Sequence, residues 1–273
     1  MQAHVFSAGG RRLAASTWGR VDGGDPVVVM LHGGLDCTST WKDLPEAIAQ
    51  ATGLAVLSYD RWGYGGSEPF AGGRERSYRF AEAGPVFGDL LSHFGIRQAV
   101  LFGHSDGGAM SLLAAAAHPD AVLGVCACSP TIALDEHMVW AMGGAREAYE
   151  RGGLREKLAR HHGDKTDAMF WAWYTPWADP AAVQWTMAPQ VAEVRCPVAA
   201  IFGQADDYGW RPSARVLVEH GRMPLEMHAL TGVGHDPQHR ARPVVLDAFM
   251  RLLAAATGRR AAPTRSPTTT QRP

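Results

Sequence analysis

Largely apolar runs recur along the chain and predict buried β-strands. These runs cover residues 26–31, 54–59, 99–102, 121–128, 197–203 and 225–230. A continuous apolar run bounded by turn residues is typical of a strand that is covered on both faces. Two segments near the N-terminus, 4–7 and 13–18, are joined through Gly9 and Gly10 and predict a β-hairpin.

Segments with helical patterns separate these runs. After Ser39 or Thr40 as a cap, the apolar positions Trp41, Leu44 and Ile48 form a helical stripe. Further helices are predicted at 76–94, with an interruption near Gly84 and Pro85, at 109–117 and at 243–255. Strands that alternate with helices imply a parallel sheet covered on both faces. We therefore predict an α/β fold with a mostly parallel, doubly wound sheet of about eight strands.

One long segment breaks this alternation. Between the strand that ends near Ser129 and the strand that starts at Pro197, the pattern is helical and rich in tryptophan, phenylalanine and tyrosine. The segment is too long for a plain crossover, so we interpret it as a helical cap over the carboxyl ends of the strands. The predicted organisation is a core of 1–130 and 196–257, a cap of 131–195 and a disordered tail of 258–273.

Composition and charge exclude several classes of function. The chain has 273 residues, is 46% hydrophobic and carries a formal net charge of −1. This balance argues against nucleic acid or an anionic membrane as the partner, and no apolar run reaches membrane-spanning length. The N-terminal residues do not resemble a signal peptide, and the four cysteines indicate core thiols in a reducing compartment. We expect a cytoplasmic protein without a metal or an organic cofactor.

The strongest chemical signal is the G-H-S-D-G-G sequence at 103–108. It follows an apolar strand and precedes a run of good helix formers, so Ser105 lies on a strand-to-helix turn. Such a turn strains the serine backbone and requires small residues on either side, at Gly103 and Gly107. The following helix directs its N-terminal N–H groups towards the hydroxyl. Ser105 is therefore the predicted nucleophile.

A serine nucleophile needs a base, and the base needs an acid that orients it. Asp206 lies in a loop just after the strand at 197–203, and adjacent Asp207 is the rival acid. We favour Asp206 because it completes a G-x-x-D spacing with Gly203, whereas Asp207 could cap the next helix. His235 follows the last strand beside a glycine and is the predicted base, with His239 as a second choice.

An acyl-transfer site also needs two N–H donors for the oxyanion. The amide of Asp106, next to the nucleophile, is the first predicted donor. The second should come from the loop after the strand at 26–31, where Gly34 is our choice and Leu35 the alternative. We interpret the side chain of His32 as a structural brace for this loop.

These motifs together resemble the α/β-hydrolase superfamily, in the group with a helical cap between strands six and seven. The matching segments are 32–34, 60–67, 103–108, 203–206 and 232–235. The resemblance implies a Ser105–His235–Asp206 triad that works through an acyl-serine. Serine at position 105 departs from the aspartate that epoxide hydrolases and haloalkane dehalogenases of this fold use. The role of the charged residue Asp106 stays open between a loop contact, a substrate contact and solvent.

Our leading hypothesis is a carboxylic-ester hydrolase for a small or medium, partly apolar substrate. A carbon–carbon bond hydrolase of a vinylogous diketone is the first alternative, and it would need a cationic anchor such as Arg61 or Arg146. A ligand-binding protein of the same fold is the second alternative. The predicted pocket residues are Leu35, Trp62, Trp171, Trp173 and Trp177.

Two histidines of the cap, His161 and His162, are predicted to lie on the surface or to pack the cap. Adjacent residues of a helix or turn project in different directions, so both cannot readily face one site. The oligomeric state cannot be inferred from these patterns.

Overall fold

The computed structural model describes residues 1–22, 24–70 and 72–258. The tail predicted over 258–273 lies outside these residues, apart from Gly258. The described chain contains one eight-stranded sheet with helices on both faces, which confirms the predicted α/β fold.

All the predicted strands are present in the sheet. Its members, in chain order, are β1 (Gln2–Ala8), β2 (Arg11–Trp18), β3 (Val27–Leu31), β4 (Val56–Tyr59), β5 (Ala99–His104), β6 (Val122–Cys128), β7 (Val198–Gly203) and β8 (Leu225–Leu230). The spatial order is β1-β2-β4-β3-β5-β6-β7-β8, with β1 and β2 antiparallel to their neighbours and the other strands parallel. Chain order reverses around β3, which creates a crevice at the carboxyl ends of the strands.

The α-helices are numbered in the same way. They are α1 (Leu44–Thr52), α2 (Tyr78–Ala81), α3 (Phe87–His93), α4 (Asp106–Ala117), α5 (Glu136–Glu150), α6 (Leu154–His162), α7 (Thr166–Ala178), α8 (Ala188–Val191), α9 (Arg211–His220), α10 (Pro237–Arg240) and α11 (Arg242–Thr257). A π-helical turn, Glu82–Val86, joins α2 to α3 without a break. The interruption predicted near Gly84 and Pro85 is therefore a widening of one helix.

Alternate side chains of the central strands enter two separate cores. In β3, Val27, Val29 and Leu31 face the layer that contains α3, α4 and α9, and Val28 and Met30 face α1 and α11. All five side chains are buried. A strand with period-two geometry must be apolar at every position when both of its faces are covered, which explains the continuous runs in the sequence.

The segment between β6 and β7 is a helical insertion, which we define as α5 to α8 with their connections. Its aromatic and methionine side chains form a third core, which includes Met142, Phe170 and Trp177. Tyr64, from the loop after β4, belongs to the same core and ties the insertion to the sheet. The insertion lies where the cap was expected, and the domain boundaries at 131 and 195 stay a prediction.

Candidate active site

Ser105 occupies a strained turn between β5 and α4. Its φ of 51° and ψ of −113° lie in a region that side-chain-bearing residues seldom adopt. The Ser105 N–H donates to the carbonyl of Cys128 at 2.8 Å, which holds the turn against β6. A Cβ atom at Gly107 would overlap the carbonyl oxygen of Leu31, and one at Gly103 would overlap the carbonyl of Gly107. The sequence therefore needs glycine at both places for steric reasons.

His235 and Asp206 complete a hydrogen-bonded chain with this serine. The Ser105 Oγ lies 2.8 Å from His235 Nε2, and His235 Nδ1 lies 2.7 Å from Asp206 Oδ2. Because an ionised carboxylate only accepts, Nδ1 carries the proton and Nε2 is free to accept from the serine hydroxyl. This is the tautomer that a general base for Ser105 requires.

Burial separates the two acid candidates. Asp206 is buried, and its second carboxylate oxygen accepts from the Tyr208 N–H at 2.9 Å. Asp207 is exposed to solvent. The structure therefore brings Asp206, and not Asp207, to the imidazole of His235. Burial and the neighbouring Asp206 carboxylate raise the pKa of Tyr208 to about 12. His239, the second choice for the base, is also exposed to solvent.

The proposed oxyanion donors lie at the same cavity. Gly34, Leu35 and Asp106 all line it together with Ser105. Asp106 is the first residue of α4, where backbone N–H groups have no partner within the helix. The Gly34 carbonyl accepts from the Tyr64 hydroxyl at 3.0 Å, which anchors the loop after β3. Which of Gly34 and Leu35 donates to an oxyanion stays a prediction.

His32 braces that loop, as its position suggested. Its Nδ1 lies 2.9 Å from the Gly33 carbonyl, and its Nε2 accepts from the Arg61 N–H at 3.1 Å. Burial, together with the positive charge of Arg61, lowers the pKa of His32 well below its usual value. The ring is therefore neutral and holds the two loops together.

The side chain of Asp106 does not reach solvent and is enclosed in an ion cluster. Arg61 Nη1 donates to Asp106 Oδ2 at 2.7 Å, and Arg79 Nε donates to Asp106 Oδ1 at 2.5 Å. The Tyr78 hydroxyl also donates to Oδ2 at 2.7 Å. Burial alone would raise the pKa of Asp106, but Arg79, Arg61 and Tyr78 outweigh it and hold that pKa below the usual range. We call Arg61, Arg79, Tyr78 and Asp106 the arginine cluster.

Sequence reasoning missed Arg79. It lies in a helical stretch, and no motif in the sequence marks it as a partner of Asp106, which is 27 positions away. A charged residue that follows a nucleophile and begins a buried helix must find a counterion. This requirement indicates that Asp106 needs a cationic partner, but it does not indicate that the partner is Arg79.

A second polar cluster lies behind His235. His104 Nδ1 lies 3.1 Å from Asp36 Oδ2, and His104 Nε2 lies 2.9 Å from the His235 carbonyl oxygen. Asp236 Oδ1 is 3.5 Å from the same Nε2. Burial acts to lower the pKa of His104, but the hydrogen bond and charge of Asp36 outweigh it and raise that pKa. With acceptors at both ring nitrogens, the His104 ring ties β5 to the loop of His235.

The cavity at Ser105 has a volume of about 170 Å³. Leu35, Trp173 and Trp177 line it, together with Met138 from α5. The other two predicted pocket residues do not line this cavity. Their rings pack elsewhere, because the loop after β4 and the outer face of α7 direct them away from Ser105.

The contacts of these two tryptophans account for their positions. Trp62 donates from Nε1 to the Pro69 carbonyl at 2.9 Å and lies under the guanidinium of Arg11. Trp171 is 37% exposed and packs edge-on against Phe170. The sequence prediction of a pocket role for Trp62 and Trp171 is therefore not supported by their positions.

The cap histidines attach the insertion to the loops of the sheet. His162 is buried, accepts from the Gly65 N–H at 3.1 Å and lies 3.1 Å from the Leu35 carbonyl. His161 Nδ1 lies 2.8 Å from Ser39 Oγ. Neither ring lines the cavity at Ser105.

Two kinds of feature are absent from the described part of the chain. Within residues 1–22, 24–70 and 72–258, no group of three or more histidine, cysteine, aspartate or glutamate side chains is placed to hold a metal ion. In the same part of the chain, every helix is too short or too polar to cross a membrane.

Comparison with known sequences identifies the family. A family model for the α/β hydrolase fold matches residues 26–181, which is more than half of the chain. Epoxide hydrolase B of Mycobacterium tuberculosis (strain ATCC 25618 / H37Rv) is 33% identical over 130 residues, or 47% of this chain and 35% of that protein. The chain thus matches about a third of the length of this relative.

Solved structures share the fold across nearly the whole chain. A bacterial membrane phospholipase A aligns with a TM-score of 0.74 at 16% identity, covering 93% of this chain and 86% of that one. An esterase from Thermogutta terrifontis aligns with a TM-score of 0.69 at 17% identity, covering 94% and 100%. An enol-lactonase from Burkholderia xenovorans LB400 aligns with a TM-score of 0.70 at 20% identity, covering 92% and 100%. With the sheet order and the family match together, the chain belongs to the α/β-hydrolase fold family.

Proposed function

We propose that this protein is a serine hydrolase that cleaves a carboxylic ester of a small, partly apolar substrate through an acyl-serine. The observation that carries the proposal is the chain of hydrogen bonds from Ser105 Oγ through the His235 ring to Asp206, at 2.8 and 2.7 Å. These distances are those of a nucleophile, a base and an orienting acid already in contact. The cavity beside Ser105 is small, which favours short acyl groups.

The proposed reaction uses only residues of this site and water. Ser105 Oγ attacks the ester carbonyl carbon while His235 Nε2 takes the hydroxyl proton. The oxyanion accepts hydrogen bonds from the amide of Asp106 and from that of Gly34. His235 then gives its proton to the departing alcohol, which leaves the acyl group on Ser105. Water repeats the same steps, and the acid is released with Ser105 restored.

The relative named as an epoxide hydrolase does not lead us to propose epoxide opening. In this fold, epoxide opening uses an aspartate as the nucleophile on the strand-to-helix turn, whereas this chain has Ser105 there. Asp106 is not a substitute, because both of its carboxylate oxygens are bound within the arginine cluster. The esterase and the enol-lactonase among the structural neighbours agree with ester or lactone cleavage.

The two arginines named for the carbon–carbon alternative do not face the cavity. Arg61 is buried in the arginine cluster, and Arg146 lies on the exposed face of α5 in an ion pair with Glu150. Neither Arg61 nor Arg146 therefore supports a carbon–carbon bond hydrolase, and the test below includes a ring-fission product to separate the two reactions.

The test is the Ser105→Ala variant on a panel of nitrophenyl esters and on a coloured ring-fission product. We expect ester hydrolysis by the wild type and a loss in kcat of about 10⁴-fold or more in the variant. Ser92→Ala, which removes an exposed hydroxyl from α3, is the matched control. Mass spectrometry after a fluorophosphonate inhibitor should show one adduct, on Ser105.

Two results would contradict the proposal. The first is a Ser105→Ala protein, free of contaminating esterase, that keeps more than a tenth of the wild-type kcat. The second is a wild type that cleaves the ring-fission product but none of the esters. Turnover much slower than ligand dissociation would instead favour a ligand-binding protein.

A further inference from the structure

Arg79 forms part of the wall of the cavity beside Ser105. It lies on α2 and is only 2% exposed. Its Nε donates to Asp106 at 2.5 Å, and its Nη1 donates to the Thr131 carbonyl at 2.7 Å. The guanidinium carbon lies 4.0 Å from the ring centroid of Trp177. These contacts fix the guanidinium rigidly at the edge of the substrate space.

One nitrogen of this guanidinium, Nη2, remains available for a hydrogen bond to a ligand. Within the described part of the chain, Arg79 Nη2 donates no hydrogen bond, whereas Nε and Nη1 are both engaged. Arg79 Nη2 is not fully enclosed by protein, in contrast to Arg61 Nε, which is enclosed and has no hydrogen-bond partner. Arg79 lines the cavity, and Nη2 is the guanidinium nitrogen that its protein partners leave for a contact on that side. A buried donor with a free N–H group is well placed to bind an acceptor on a ligand.

Arg79 shares its acidic partner with another arginine. Two guanidiniums, Arg61 and Arg79, pair with the single carboxylate of Asp106. Glu82 is another buried acid close to Arg61, and its carboxylate accepts from the Tyr59 hydroxyl at 2.9 Å. Among the described residues, Arg79 therefore has no carboxylate to itself, and a carboxylate of a ligand would complete its interactions.

The acids that line the cavity elsewhere have a different partner. Asp36 and Asp236 both lie against His104, at 3.1 and 3.5 Å. Two carboxylates share one imidazole there, so that side carries a net negative charge whether or not His104 is protonated. A negatively charged substrate group would be repelled by these acids and attracted by Arg79. The two ends of the cavity therefore differ in charge.

We propose that Arg79 binds a carboxylate of the substrate and that the preferred substrates are short esters of carboxylate-bearing molecules. This inference rests on the proposed ester hydrolysis at Ser105. The cavity of about 170 Å³ limits the distance between the carboxylate and the scissile carbonyl to a few atoms. A guanidinium is the side chain that proteins most often use to recognise carboxylates, because its N–H groups are fixed in one plane.

The test uses matched pairs of esters that differ only in a terminal carboxylate. Monoethyl glutarate is compared with ethyl pentanoate for the acyl side, and 4-acetoxybutanoate with butyl acetate for the alcohol side. We expect the anionic member of at least one pair to have the higher kcat/KM in the wild type, by about tenfold or more. Equal or lower kcat/KM for both anionic esters would overturn the inference.

Variants of Arg79 test whether this residue causes the preference for anionic esters. Arg79→Gln should reduce the anionic-to-neutral ratio of kcat/KM to about one, and Arg79→Lys should keep part of it. Arg146→Gln, which removes an exposed arginine outside the cavity, should leave the ratio unchanged. An unchanged ratio in Arg79→Gln would contradict the role of Arg79.

Binding to the Ser105→Ala protein covers the case in which Arg79 variants do not fold. Calorimetry should show monoethyl glutarate or 4-acetoxybutanoate binding about tenfold more tightly than its neutral partner, and raised ionic strength should weaken this difference. If the anionic and the neutral member bound equally tightly in both pairs, the inference would be refuted, and the esterase proposal would be unaffected. A wild type that cleaves neither class of ester would refute the esterase proposal, while these affinities would still report on Arg79.

Discussion

Ser105 lies between two regions whose aspartates have opposite surroundings. On the side of β7 and β8, Asp206 is bonded to His235, whose side chain is 21% exposed. On the side of α2, Asp106 lies between two arginines, and each side chain of those ion pairs is 2% exposed. The imidazole of the first region is partly exposed, whereas the ion pairs of the second are almost completely buried.

The partners of the two carboxylates differ in whether their charge can change. His235 becomes an imidazolium when it takes the serine proton, so Asp206 gains a stabilising interaction during the reaction. Arg61 and Arg79 keep their charges throughout, because arginine does not lose its proton in proteins. Asp106 is therefore held in a constant interaction, which supports the fold and orients Arg79 rather than responding to the reaction.

The largest expected effect comes from Asp206→Asn. An amide fits the same space, but it favours the wrong tautomer of His235 and does not stabilise the imidazolium, so kcat should fall by about 10⁴-fold. Asp207→Asn is the matched control and should stay within about threefold of the wild type, because its side chain is exposed. Steady-state kinetics of both variants on a nitrophenyl ester decide the assignment. Collapse of activity in the Asp207 variant alone would reverse it.

Asp106→Asn should mainly reduce stability. It leaves two buried guanidiniums without a counter-charge, which costs about 3–5 kcal/mol in the free energy of unfolding. Urea denaturation at pH 7 measures this loss, with exposed Asp120→Asn as a control near zero. Because the folded pKa of Asp106 is depressed, its contribution is present above the pKa of the unfolded chain and declines as the pH falls below about 4. An Asp106 variant as stable as the control would show that the cluster does not stabilise the fold.

Trp173→Ala should change substrate choice more than Trp171→Ala does. Trp173 lines the cavity, whereas Trp171 packs on the outer side of α7. Removing Trp173 should shift the ratio of kcat/KM between short and long acyl esters by about 1–3 kcal/mol, the scale of one pocket contact. The Trp171 variant should keep the wild-type ratio. Similar shifts in both variants would mean that the insertion acts through its overall packing.

The smallest effect is expected from Asp36→Asn, and it should depend on pH. The folded pKa of His104 is raised, so its stabilisation by Asp36 is complete below the unfolded value of about 6.5 and is lost as the pH rises through the folded pKa. The loss in melting temperature should therefore be larger at pH 6 than at pH 9. Asp36 is partly exposed, so the difference should stay below about 1 kcal/mol. An equal loss at both pH values would contradict the raised pKa of His104.

The sequence alone determined the sheet and the positions along the chain from which the site is built. Strands buried on both faces leave continuous apolar runs, and Ser105, Asp206 and His235 each follow such a run. In a parallel sheet the ends of these runs meet at one edge, so residues 130 positions apart were expected to be neighbours. The distances agree with this expectation for all three residues.

Only the tertiary structure decided which helical side chains face that edge. Arg79 joins Asp106 and Arg61 from three separate elements, and Trp173 faces the cavity while Trp171 turns away. Strand ends are constrained by the geometry of the sheet, whereas the rotation of a helix depends on how its whole surface packs. No local pattern in the sequence records that rotation, so the arginine cluster and the aromatic wall became visible only in the folded chain.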